Sequence, residues 1–150
     1  MDTVVSTETA DILLVEDQPH DAELALRALK KLDLDERVAL VRDGAAALDF
    51  LFGRGEYAGR ALADAPRLIL LDLKLPKVSG IEVLRTLKSD ERTRHIPVIV
   101  LTSSGEACDV EACYDLGVNS YVVKPVDFAQ FTETVQQIGT YWLGTNEPPC

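Results

Sequence analysis

The chain has 150 residues, 47% of them hydrophobic and 27% charged, which fits one globular domain with a real core. Its formal net charge of -10 excludes unaided binding to nucleic acid or to an anionic membrane, since both need a basic face. No apolar run approaches a membrane span and no apolar signal core opens the chain. The three cysteines, Cys108, Cys113 and Cys150, lack disulfide or metal spacing, so a reducing cytoplasm is expected.

Residues 1–10 are expected to be a disordered lead-in, rich in Thr, Ser and Val from Met1 to Thr9. Residues 11–16 read as a buried strand. Ala22, Ala25, Leu26, Leu29 and Leu32 then fall at helical spacing. A short strand follows at Val38 to Val41. Asp43 caps a helix with Leu48, Leu51 and Phe52 on its inner face, and Gly53, Gly55 and Gly59 break it. Residues 68–72 are the most apolar run and are predicted as the central strand. Ser79 or a neighbour starts a helix carrying Ile81, Leu84 and Leu87. Pro97 opens a strand at 98–101, a helix spans 106–116 with Gly117 as its C-cap, and a fifth strand covers 120–123. The last helix places Phe128, Phe131, Val135, Ile138 and Trp142 on one stripe, leaving Tyr141 and Leu143 over. Strand and helix alternate five times, which predicts a doubly wound α/β domain: a parallel sheet with helices on both faces.

In such a sheet the C-terminal strand ends share one edge, and ligands bind there. Polar residues follow four of the strand runs: Glu16 and Asp17, Asp72, Thr102, and Lys124. Carboxylates hold Mg²⁺, while Lys and Thr hold phosphoryl oxygens. Asp72 is the expected nucleophile, because a carboxylate attacks a phosphoryl group to form an acyl phosphate. Taken singly, an Asp after a strand is usually a cap or turn residue and a Lys is usually a solvated surface group; only the joint arrangement points to phosphoryl transfer. His20 and His95 read as surface residues. The Gly53/Gly55/Gly59 set is no phosphate loop, since it follows no strand and lacks Gly-Lys-Ser/Thr.

These residues sit in the runs LLVED at 13–17, LLDLKLP at 70–76 with Gly80 beyond it, VLTSS at 100–104 and YVVKP at 121–125. Over roughly residues 10–143 the sequence resembles the receiver domain of two-component response regulators. The resemblance implies a flavodoxin-like five-stranded sheet of order 2-1-3-4-5. It implies phosphorylation on Asp72 by the phosphohistidine of a sensor histidine kinase, and only self-catalysed phosphorylation and hydrolysis. It implies Mg²⁺ held by Asp17 and Asp72 directly, by Glu16 through water and by the Lys74 backbone carbonyl. Thr102 and Tyr121 become the switch residues, and the Lys124–Pro125 peptide bond is expected to be cis. Lys74 after the acceptor, and Ser103 where a smaller residue is commoner, depart from the family pattern and bear on hydrolysis rate.

The long Phe52 to Arg67 stretch and the Tyr141-Trp142-Leu143 ending resemble single-domain regulators paired with bacterial phytochrome kinases. On that likeness a homodimer is expected through the last helix and strand face, with Tyr141, Trp142 and Leu143 as the candidate interface. The receiver is expected to span 11–143, with 144–150 a tail and no output domain. Two rival readings stand beside it. One is a degenerate receiver acting only as an interaction module. The other is an aspartyl-phosphate phosphatase of the haloacid dehalogenase type, which would want an acid where Lys74 stands.

Overall fold

The computed structural model describes residues 10–59 and 65–148. The expectations for Met1 to Thr9 and for part of the Phe52–Arg67 stretch fall outside the described residues, while Ala10, expected in the disordered lead-in, is instead buried in the core at 3% exposure.

Five four- or five-residue apolar runs form the strands: β1 (Ile12–Val15), β2 (Val38–Val41), β3 (Leu68–Leu71), β4 (Val98–Thr102) and β5 (Ser120–Val123). They pair in parallel in the order β2-β1-β3-β4-β5, so β3 is central as its composition predicts. Between them run α1 (Pro19–Lys30), α2 (Gly44–Phe52), α3 (Gly80–Ser89) and α4 (Ala107–Asp115), and α5 (Phe128–Thr140) closes the domain. This is the flavodoxin-like receiver fold.

Because successive strand residues point to opposite faces, β1 and β3 feed two cores. Leu13, Val15, Ile69 and Leu71 face α2, α3 and α4, packing with Phe50, Val83, Leu84, Leu87 and Cys113. Ile12, Leu14, Leu68 and Leu70 face α1 and α5, packing with Ala25, Leu29, Phe131, Val135 and Ile138. Both faces of β1, β2, β3 and β4 are buried, which is why those strands read as continuous apolar runs.

The helix ends follow the sequence cues. The Asp43 carboxylate accepts from Ala46 N at 2.7 Å, and the Ser79 hydroxyl accepts from Glu82 N at 3.2 Å. Gly117, at φ 98°, ends α4 in the left-handed conformation that a side chain resists. Of the two cysteines in α4, Cys113 is buried and Cys108 is exposed.

Three further expectations are corrected. Phe128 lies at the first position of α5 and is 57% exposed, so the inner stripe begins at Phe131. After Thr140 the chain makes a π turn, Tyr141–Thr145, whose i→i+5 bonding puts more residues in each turn and so changes which residues face inward. Leu143 therefore packs on the core beside Trp142, its carbonyl accepting from Arg67 at 3.2 Å, and only Tyr141 is strongly exposed. No cis peptide bond occurs among the described residues, so Lys124–Pro125 is trans. The two isomers of an X–Pro bond differ by only about 0.5–1 kcal/mol, so a local sequence does not dictate the choice.

Candidate functional site

Backbone pairing continues one residue past several strands, and that continuation fixes the site. Glu16 N donates to Val41 O at 3.0 Å, Asp72 N to Val15 O at 3.2 Å, and Lys124 N to Thr102 O at 2.7 Å. Each residue that follows its strand is thus held by the neighbouring strand, at the C-terminal edge of the sheet. Gly80 completes the frame. Its N–H donates to Leu73 O at 2.9 Å, and a Cβ built on it would lie 2.2 Å from Asp72 O and 2.5 Å from Leu73 Cα. Those are backbone atoms and cannot swing aside. Gly80→Ala is therefore expected to push α3 off the Asp72 turn and cost about 1–3 kcal/mol, read as a lowered denaturant midpoint at unchanged m.

The Lys124 side chain crosses the edge and its Nζ meets three carboxylates. Glu16 Oε1 lies at 2.8 Å, Asp21 Oδ2 at 2.8 Å and Asp72 Oδ2 at 3.1 Å. Lys124, Glu16 and Asp72 side chains are each no more than 8% exposed. Burial pushes the Glu16 carboxyl up to about 7; the Lys124 hydrogen bond opposes the rise and the Asp72 charge adds to it. Burial works to lower the Lys124 ammonium, but its bonds to Asp21 and Glu16 prevail and hold it above the ordinary lysine value.

Glu16, Asp17 and Asp72 each offer a carboxylate oxygen, all within 4.8 Å of one another. Asp17 Oδ1 is buried and has no hydrogen-bond partner. A buried carboxylate oxygen without a donor is costly, and a hard cation would satisfy it. The donor set, all oxygen and net negative, fits a divalent metal ion.

The remaining predicted residues lie around this cluster. Thr102 is fully buried, and its hydroxyl accepts from Ser104 N at 3.5 Å. Tyr121 donates its hydroxyl to Ser104 O at 2.7 Å. The Ser104 hydroxyl donates in turn to Asp109 in the first turn of α4 and accepts from Glu106 N at 3.4 Å. Lys74 is exposed, and its N–H donates to Asp72 Oδ1 at 3.4 Å.

Sequence reasoning missed Asp21 and the Ser104–Asp109 pair. Asp21 reads as a dipole-compensating acid in the first turn of a helix. The signal available was its place just after Pro19, since a helix leaving β1 starts at the same sheet edge as Glu16.

The chain belongs to the response regulator receiver domain family, which residues 12–136 match. As a member it is a phospho-accepting, metal-assisted signalling module, which catalyses only its own phosphorylation and dephosphorylation, and the buried carboxylates gathered about one lysine are consistent with that. Among relatives, the probable methanogenesis regulatory protein FilR2 of Methanothrix harundinacea is 49% identical over 138 residues, covering 92% of this chain and 86% of FilR2. The crystal structure of the phosphorylated cyanobacterial phytochrome response regulator RcpA superposes at a TM-score of 0.86 and 42% identity, over 93% of this chain and 97% of RcpA. The Mn²⁺-bound form of Rcp1, a response regulator of Synechocystis sp., superposes at 0.85 and 42% identity, over 93% and 98%. Family membership displaces the haloacid dehalogenase reading. No helix among the described residues is long and apolar enough to cross a membrane.

Proposed function

We propose that Asp72 is the acceptor and that this receiver is switched by a sensor histidine kinase, a bacteriophytochrome in particular. The observation that carries the reading is the Asp72 carboxylate, held 3.1 Å from the Lys124 ammonium within the cluster that leaves Asp17 Oδ1 unpartnered. In the transfer, an Asp72 oxygen bonds to phosphorus as the bond from phosphorus to the donor imidazole breaks, and the imidazole leaves with that electron pair. Lys124 then turns from carboxylate to phosphoryl oxygen, and the Thr102 hydroxyl donates to another. Glu16, Asp17, Asp72 and the Lys74 carbonyl would hold Mg²⁺, which when bound neutralises charge on the transferring group. Displacement of Thr102 pulls on Ser104, and with it the Tyr121 hydroxyl and Asp109 on α4. That couples the acceptor to the surface of α4, β5 and α5.

The kinase pairing is supported by the likeness to regulators described as phytochrome-linked, and Mg²⁺ by the likeness to an Mn²⁺-bound relative. Residues 11–143 form the receiver in this reading, acting in the cytoplasm. Self-association runs through the α5 end. Tyr141 is 48% exposed and stacks edge-on against Trp142, their ring centres 5.1 Å apart. Trp142 and Leu143 support it from the core side, so Tyr141 is the residue to change. Tyr141→Lys is expected to shift sedimentation from dimer toward monomer without lowering the melting temperature; an unshifted boundary removes this interface.

The direct test of the reading is intact mass after incubation with acetyl phosphate. A gain of one phosphoryl group that requires Mg²⁺ is expected. No gain under conditions that label another receiver would return the chain to the interaction-module reading.

A further inference from the structure

Of the three carboxylates on the Lys124 ammonium, two belong to the metal-capable cluster and one does not. Glu16 and Asp72 are shared between ammonium and cluster, whereas Asp21 stands outside it, on the first turn of α1. An ammonium has three N–H donors, and here each has a carboxylate. A divalent cation entering among Glu16, Asp17 and Asp72 claims oxygens that Lys124 now holds. It also repels the ammonium, because like charges a few ångströms apart in a buried site are strongly unfavourable. The ammonium must either leave the edge or retain a partner that the metal does not use.

We infer that Asp21 is a positioning residue that draws the Lys124 ammonium toward α1 when the metal enters, keeping it near Asp72 without competing for the metal's oxygens. The Asp21 side chain is 29% exposed, the most open of the three, and it comes from the first turn of α1, whereas Glu16 and Asp72 follow strands. It thus offers an anchor at the margin of the cluster, within reach of a lysine that pivots rather than withdraws. Without Asp21, the only carboxylates left to the ammonium are the two the metal needs, and lysine and metal become direct competitors. This rests on the receiver reading for its purpose, but its observable is metal affinity in the unphosphorylated protein.

The test is isothermal titration of the full chain with Mg²⁺. Asp21→Asn is expected to weaken Mg²⁺ binding about five- to tenfold, and Asp21→Glu to stay within about threefold of the native affinity. The deficit of Asp21→Asn should persist in about 1 M KCl, where the screening length falls to about 3 Å and a charge acting through space is suppressed. It should vanish in a Lys124→Met background, since the competitor is then gone. A deficit that is absent, that salt erases, or that is undiminished without Lys124 overturns the inference. If Lys124→Met is too unstable to titrate, the salt series and Asp21→Glu decide alone. A native chain that binds no Mg²⁺ overturns both this inference and the metal in the receiver reading. Normal metal behaviour with no phosphorylation of Asp72 removes only the assignment of Asp72 as acceptor.

Discussion

Asp72→Asn is expected to abolish Mg²⁺-dependent phosphoryl incorporation, leaving the intact mass unchanged where the native chain gains one phosphoryl group. The amide replaces the carboxylate almost isosterically but cannot form the acyl phosphate. The fold should survive, because Asp72 is placed by its backbone N–H on Val15 O and not by its side chain. Removing one of several crowded negative charges also relieves repulsion with Glu16, so the melting temperature should be unchanged or raised. Full labelling of the variant would move the acceptor elsewhere, and loss of cooperative unfolding would make the labelling result uninformative about chemistry.

Lys124→Met carries the second large effect, on stability. It leaves Glu16, Asp72 and Asp21 without their shared cation, two of them almost fully buried. Breaking a buried charge pair from one side typically costs about 3–5 kcal/mol. The loss should depend on pH. The folded chain keeps a proton on Glu16 up to about 7, where the unfolded chain releases it near 4.5. Stability from that proton is therefore fully present below about 4.5 and is lost as pH rises to about 7. Without Lys124, which lowers the Glu16 value, protonation persists to higher pH and the penalty above neutrality grows. Lys124 itself is held above the ordinary lysine value, so in the native chain its contribution is intact through neutral pH. Denaturant titrations in a chelator at pH 8 and pH 5 should show the larger deficit at pH 8. Equal deficits would mean that Glu16 does not titrate in this window.

The cluster and the sheet were largely legible in the sequence for one reason. A buried parallel strand must be apolar on both faces, so the first polar residue after each run marks where the strand leaves the core. Glu16, Asp72 and Lys124 stand at such boundaries. What was not legible depends on angles that no spacing records. The 3-4-3-4 stripe of α5 holds from Phe131 through Ile138 to Trp142, but it leaves out Leu143, which the π turn beyond Thr140 also brings inward. Phe128 obeys the spacing but precedes the point at which α5 meets the sheet. Asp21 required knowing how far a lysine from β5 reaches across the sheet edge, which is a property of the assembled strands.

That reach has a consequence for a chain still on the ribosome. Lys124 lies 103 residues from Asp21 and 52 from Asp72. At about 5–20 residues per second, roughly 3–10 s separate the synthesis of the aspartate from that of the lysine. Through that interval Glu16, Asp17 and Asp72 have no ammonium to share, and their mutual repulsion opposes closure of the β1–β3 edge. Closure of this edge is therefore expected to be a late event, following synthesis of β5 and Lys124. Arrested chains ending before and after residue 124 should differ sharply in protease resistance, and a divalent cation should narrow the difference.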